Sequence, residues 1–292
     1  MKKINAEKNK IIKKIAKEYF KLKNVSAIVL GGSVARSFSD NYSDIEIYVY
    51  YEKKIPSKKE IQIILNKLHA KLTRSKNMHW FHPAWGVHTF FSVNKIDVEL
   101  GYRNIVEIRK RMKKFLEGMK IESERGVHDC PFGHYESGVA SCIKESKILK
   151  EKNKSLSKIK RMLKEFPRKL YEKKFNYYFK DAKTIWRKKL LPATRRNDTY
   201  HFNACFSRIL RSIVICLFTL NKEYFPGDKW NKEYIKKFKI IPKNYEKNIK
   251  LLQNTPDGNF EHKEIKTKLL YGIIKDIKKL YEYEKRRYEK NY

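Results

Sequence analysis

The sequence has few acidic residues: 32 Asp and Glu stand against 68 Lys and Arg in 292 residues, a formal net charge of +36. Such an excess normally points to nucleic acid or an acidic surface. The excess is mostly lysine spread along the chain, which is also rich in Ile, Asn and Tyr. These residues share A+T-rich codons, so genome bias is a second explanation, and a basic surface would also attract a triphosphate. Cysteine is scarce as well. Cys130, Cys142, Cys205 and Cys216 form no C-x-x-C pair, which leaves reduced, buried thiols. His128, Cys130 and His134 are close enough to suggest zinc but lack a fourth ligand at a standard spacing. The longest apolar run, around Ser212 to Leu220, is too short to span a membrane. Met1-Lys2-Lys3-Ile4-Asn5 leads into a charged helical pattern, with no apolar leader. A soluble, cytoplasmic protein with no membrane partner is therefore expected. No internal repeat is visible, and the length allows a sizeable core in one or two domains.

The most informative stretch begins with a short apolar run, Val25 to Leu30, that reads as a buried strand. Gly31 and Gly32 end it and permit a tight turn. Ser33 then opens a short helical segment, so free N–H groups and a helix N-terminus meet where a phosphate would be favoured. After a polar loop, Ser43 leads into a second strand. Ile45, Ile47 and Val49 take one face, and Asp44 and Glu46 the other. A phosphate cradle beside two carboxylates suits a nucleoside triphosphate with Mg²⁺, a cation usually held by a few carboxylates plus substrate phosphates.

Gly32-Ser33-x-x-Arg36 followed by Tyr42-Ser43-Asp44-Ile45-Glu46 resembles the signature of the polymerase-beta-type nucleotidyltransferases, especially the aminoglycoside and lincosamide nucleotidyltransferases. The likeness runs from about Val25 to Tyr102. It implies Mg²⁺-dependent transfer of a nucleoside monophosphate from an NTP, ATP first, to a hydroxyl of a small molecule, with release of pyrophosphate. Two Mg²⁺ ions would be held by Asp44, Glu46 and a third carboxylate, for which Asp97 has the right position. Gly31, Gly32, Ser33, Arg36 and Ser43 would bind the nucleotide. Glu99, two residues past Asp97 on the same strand face, would be a general base or a salt-bridge partner of a lysine. Some relatives complete the site with a second subunit, so a homodimer is among the expectations. Transfer to RNA or tRNA ends, or to a protein partner in a toxin–antitoxin-like pair, is the alternative.

The rest of the chain supplies the scaffold. Residues 6–22 and 58–72 read as amphipathic helices, the second capped by Ser57. Met78 to Trp85 is aromatic and irregular, either a loop over the core or a stacking surface for a base or acceptor ring. Residues 86–93 and 96–100 read as a hairpin around Asn94-Lys95. Asn104 caps a helix to about Met119, and 138–149 read as helix. Lys150 to Ser157 is polar and is taken as a boundary. The expected fold class is α+β: a nucleotidyltransferase domain over 1–150, with a mixed sheet flanked by helices, then an all-α bundle over 151–292. In the second part Asp198 caps the most apolar helix, 202–220, and the last helix spans about 264–289. The resemblance implies a lysine of the helical part near the triphosphate, for which Lys229 is the best local candidate, with Arg195, Arg196 and Asp198 weaker ones. The stretch around Lys229 also reads as a helix–helix connection.

Overall fold

In the computed structural model, which describes residues 6–40, 43–74, 78–82, 86–119 and 136–290, the chain divides into two units, Met1–Glu165 and Phe166–Tyr292. The first contains, in order, α1 (Ala6–Phe20), β1 (Val25–Leu30), α2 (Gly32–Arg36), β2 (Ile45–Tyr51), α3 (Lys58–Leu68), β3 (Lys71–Leu72), β4 (Trp80–His82), β5 (Gly86–Val93), β6 (Ile96–Asn104), α4 (Ile105–Leu116), α5 (Glu136–Glu145), β7 (Lys147–Glu151) and α6 (Ser155–Met162). The strands form one sheet in the order β3-β5-β6-β2-β1-β7, with β4 also paired to β5. β2 and β6 run parallel and the other pairs antiparallel, so the sheet is mixed.

Period-two alternation gives the central strands two different faces. Ile45, Ile47 and Val49 of β2, with Val98, Leu100 and Tyr102 of β6, pack against Ile12, Ile15 and Tyr19 of α1 and Ile61 and Leu65 of α3. The Tyr19 and Tyr102 hydroxyls lie 3.0 Å apart and Tyr102 reaches Thr89 Oγ1 at 3.1 Å, so these buried polar groups satisfy one another. The opposite face carries Glu46, Tyr48, Tyr50, Glu99, Gly101 and Arg103. Arg103 ties that face to α5: its guanidinium lies 3.9 Å over the Tyr48 ring, and Nη1 donates to Cys142 Sγ at 3.9 Å.

Local signals set several ends as expected. Ser57 and Glu60 form a capping box at the start of α3, and Asn104 Oδ1 accepts from the amides of Val106 and Glu107. Other stretches fold differently. The helix expected to reach residue 72 stops at Leu68, with His69 in the left-handed conformation, and Lys71–Leu72 joins the sheet. The helix expected over 138–149 stops at Glu145. There the Ser146 hydroxyl donates to the Ile143 carbonyl at 2.8 Å, and Lys160 Nζ donates to the carbonyls of Ile143 and Lys144 at 3.0 Å each. These contacts satisfy carbonyls left open at a helix end. The chain then forms β7 on the free edge of β1. A division at residue 150 cuts this strand. Its lysines made it read as a polar connection, whereas charged residues are what a sheet edge exposed to water carries.

The second unit is helical: α7 (Arg168–Ile185), a π-helical turn at Trp186–Leu190, α8 (Leu191–Arg195), α9 (Thr199–Leu220), α10 (Asn231–Ile235), α11 (Tyr245–Asn254) and α12 (Phe260–Lys290). Asp198 caps α9 by accepting from the His201 amide at 3.0 Å. By length and composition α9 could cross a membrane, but 61% of its most apolar stretch is buried in the protein, as in the core helix of a soluble bundle. It packs on α7 and α12. Between α7 and α12, Phe175 and Tyr281 stack at 3.8 Å.

Lys174 of α7 is buried in this bundle, 1% exposed. Burial pulls its ammonium down to about 7, against the opposing influence of Cys216. An unfolded lysine keeps its proton to about pH 10. Between pH 7 and 10 the unfolded chain therefore binds more protons than the folded one at this site, and stability rises with pH. Relative to Lys174→Met, the wild type should gain about 3 kcal/mol of unfolding free energy over that range. Denaturant melts of both proteins at pH 7 and pH 10 check this. A constant difference between them would contradict the assignment.

Candidate functional site

The Gly31-Gly32 turn ends β1 and leads directly into α2. Gly32 has φ +59°, a left-handed conformation that favours glycine. A Cβ there would also lie 2.0 Å from Glu46 Oε1, and one at Gly31 would lie 2.3 Å from Cε2 of Tyr48. The Gly31 amide donates to the Glu46 carbonyl at 2.8 Å, which holds the turn against β2. The two glycines therefore do more than turn the chain. They leave the room in which the Glu46 carboxylate and the Tyr48 ring sit.

Glu46 receives a hydrogen bond from the Tyr48 hydroxyl at 2.8 Å. The parallel register of β2 and β6 places Glu46 level with Glu99 on the same face. Asp44 lies just before β2. Asp97, the expected third carboxylate, pairs with Ser92 of β5 and is exposed beside the hairpin turn. Burial first, then the neighbouring charges of Glu99 and Asp44, push the Glu46 carboxyl above the usual range, against the Tyr48 hydrogen bond and the charge of Arg36. Burial also acts to raise Glu99, but His88, with Arg74 and Arg103, outweighs it and holds Glu99 below the usual range. Two level carboxylates are thus pushed in opposite directions, which marks a candidate functional site.

His88 supplies most of that asymmetry. Its Nδ1 lies 2.8 Å from Glu99 Oε1, with the imidazole itself buried. It stacks on Phe90 at 5.9 Å and meets Trp80 edge-on at 6.2 Å, while Arg74 lies 4.6 Å over the Phe90 ring. These groups come from β4, β5 and the segment after β3, and they line the sheet beside Glu99. Of the aromatic stretch 78–85, Trp80–His82 is β-paired, and Trp80 joins this wall. Gly101 makes the wall possible: a Cβ there would lie 2.8 Å from the Tyr48 ring and 3.2 Å from the His88 ring. Sequence reasoning missed Tyr48, His88 and Gly101. A glycine inside a strand pattern, a sign of close approach, was the available signal.

The other expected residues are placed as follows. Ser33 is half-buried in the first turn of α2, and its carbonyl accepts from the Phe38 amide at 3.0 Å. Arg36 pairs with Glu145 of α5, Nε to Oε2 at 2.6 Å. The Ser43 hydroxyl donates to Asp40 Oδ1 at 2.7 Å, and its carbonyl accepts from Lys8 at 2.7 Å, so Ser43 closes the loop before β2. Lys229 is exposed in the second unit, next to Asp228, which pairs with Arg211 at 2.8 Å. Tyr42, His128, Cys130 and His134 lie outside the described residues. Cys142, Cys205 and Cys216 are buried, free thiols.

Among the described residues no group of three His, Cys, Asp or Glu side chains is placed to hold a metal ion by itself. The chemistry of the donors nonetheless suits a hard cation brought in by a ligand. Asp44, Glu46 and Glu99 offer oxygen, and burial first, then the charges of Glu99 and Asp44, raise Glu46. Mg²⁺ needs only one or two protein carboxylates when phosphates and water complete its shell.

A family described as "Domain of unknown function (DUF4037)" matches residues 134–231. That span leaves out β2 and β6, and with them Glu46 and Glu99. No curated protein matches the chain. A crystal structure described as a nucleotidyltransferase-like protein from Exiguobacterium sibiricum is similar at 11% identity and a TM-score of 0.46, covering 92% of this chain and 74% of that one.

Proposed function

We propose that the first unit is a nucleotidyltransferase, which moves a nucleoside monophosphate from an NTP to a hydroxyl of a small-molecule acceptor and releases pyrophosphate. The observation that carries this reading is the seating of Glu46 on Gly32, level with Glu99 on one face of the sheet. A turn made of glycine, with its amides near a row of carboxylates, suits a triphosphate bound together with its metal.

In this reading Asp44, Glu46 and Glu99 would hold Mg²⁺ brought in with the triphosphate, and the ion would supply charge neutralisation at the phosphates. The Gly31-Gly32 turn and Ser33 receive the phosphates. Tyr48 and Gly32 fix the Glu46 carboxylate, and His88 fixes that of Glu99, so both are oriented before substrate arrives. The acceptor oxygen attacks the α-phosphorus and forms the new P–O bond as the bond to the β-phosphate bridging oxygen breaks. Pyrophosphate leaves with the electron pair, and the hydroxyl proton passes to solvent. As in other phosphoryl transfers, positioning and charge neutralisation supply most of the rate. The wall of Trp80, His88 and Phe90 supports an acceptor or base with a flat face.

The test is transfer of label from α-labelled ATP, GTP, CTP and UTP with Mg²⁺, using aminoglycosides, lincosamides, total tRNA and a cell extract as acceptors. Label on a small molecule that disappears with EDTA supports the proposal. Label on RNA or protein moves the acceptor class to the alternative, and no transfer to any acceptor overturns nucleotidyl transfer.

A further inference from the structure

The second unit contains a pocket of about 300 Å³ between the π-helical turn with α8 on one side and the first half of α12 on the other. Phe260, Glu264, Thr267, Lys268 and Tyr271 line it from α12, at spacings that put them on one helix face. The π-helical turn inserts one more residue per turn than an α-helix, a device often found at functional sites. It presents Trp186, whose indole N–H donates to the Thr267 carbonyl at 3.0 Å. Trp186 and Tyr271 stack at 4.3 Å with planes 16° apart, and Tyr271 remains 39% exposed. The buried hydroxyls of Thr194 and Thr267 lie 2.9 Å apart, with the Leu190 carbonyl 2.9 Å from the first and the Lys263 carbonyl 2.7 Å from the second.

The two threonines thus have partners, and Trp186, Phe260 and Tyr271 give the walls their aromatic surface. What the site offers a ligand is ring surface from Trp186 and Tyr271 and positive charge from Arg195 and Lys268. Arg195 and Lys268 are both exposed among the lining residues, Lys268 paired with Glu264 at 3.1 Å. Arg187, Lys188 and Lys189 on the π-helical turn, and Arg196 just after α8, are exposed as well. The volume is at the lower end of ligand pockets, enough for one ring system rather than a large substrate.

We propose that this pocket takes a base of single-stranded nucleic acid, stacked against the Trp186–Tyr271 pair, with the adjoining phosphates on Arg195 and Lys268. Aromatic platforms combined with basic tracks bind single strands without strong sequence preference. An acidic protein would match the charge but not the exposed ring face. The site is made entirely by the second unit and does not depend on the first unit's being a nucleotidyltransferase.

The test is fluorescence anisotropy of a labelled 12-nucleotide RNA with the full chain across a salt series. Tyr271→Ala changes no charge, so a purely electrostatic surface would not register it. It should weaken binding about tenfold, and Tyr271→Phe should restore it. Arg195→Ala with Lys268→Ala should weaken binding and also flatten the dependence on salt. Circular dichroism shows whether each variant is folded. If Tyr271→Ala misfolds, an abasic oligonucleotide gives the same answer with the unaltered protein. Binding of the abasic strand as tight as RNA, or folded Tyr271→Ala binding like wild type, overturns the proposal. AMP competing as well as the 12-mer, nucleotide for nucleotide, overturns the single-strand assignment.

Discussion

Asp44→Ala and Glu46→Ala are each expected to reduce nucleotidyl transfer by on the order of a thousandfold or more, with the fold intact. Glu46→Gln should be as inactive and yet more stable than wild type. The carboxamide keeps an oxygen to accept from the Tyr48 hydroxyl, and its size fits the space above Gly32. It removes the negative charge that burial, Glu99 and Asp44 all disfavour. Because the folded-state carboxyl is raised, the folded protein binds more protons than the unfolded chain between the ordinary value and the raised one. Stability from this group therefore falls as pH rises through that window. The gain in Glu46→Gln should be present at pH 7 and should shrink as the pH falls toward the ordinary carboxyl value. Melting both proteins over that pH range, alongside the transfer assay, checks both halves. A Glu46→Gln variant that is less stable at pH 7 would show that the carboxylate is not held against neighbouring charge. One that retains transfer would remove Glu46 from the chemistry.

That opposition between stability and function explains which parts of the protein were legible in the sequence. Apolar periodicity located α1, α3, β1 and β2 because burial decides where such residues go, whatever the tertiary detail. Asn104, Ser57 and Asp198 marked helix starts because their hydrogen bonds are local. β7 was not legible. Its residues, Lys147 to Glu151, have no apolar alternation strong enough to announce a strand, and it exists because β1 offers a free edge after Ser146 ends α5. Long-range pairing of that kind leaves little trace in local composition. The π-helical turn was hidden for a related reason, since Trp186–Leu190 continues the helical pattern of α7 and departs from it only by the hydrogen bonds it makes.

The candidate site was legible to the same degree. The glycine turn and the Asp44–Glu46 spacing are local features and could be read directly. What could not be read was how high β6 stands against β2. Asp97 and Glu99 sit on one face two residues apart, and a strand register shifted by two residues exchanges them without changing any alternation. The sequence around both, Ile96-Asp97-Val98-Glu99-Leu100, is symmetrical in this respect. His88 would have broken the tie, but its pairing with Glu99 crosses from β5, and nothing local marks it.

The two carboxylates are therefore expected to differ sharply when each is neutralised. Glu99 stands level with Glu46, is raised in importance by a buried histidine at 2.8 Å, and is held ionised below the usual carboxyl range. A carboxylate kept charged and oriented by a buried partner is suited to bind a cation or to stabilise charge without moving. Asp97 is exposed, opposite Ser92 at the end of the hairpin. Its side chain has water on offer and no buried partner in that pairing to hold it. Glu99→Gln should lower kcat for transfer by on the order of a hundredfold or more, while Asp97→Asn should change it by less than about tenfold. His88→Gln should fall between them, since it removes the support of Glu99 but leaves the carboxylate. Steady-state transfer with each variant at saturating nucleotide, together with the Mg²⁺ concentration at half-maximal rate, separates the cases. If Asp97→Asn is the more damaging change and also raises the Mg²⁺ requirement, then β6 places its acids in the catalytic complex differently from the register seen here, and Asp97 is the third ligand after all.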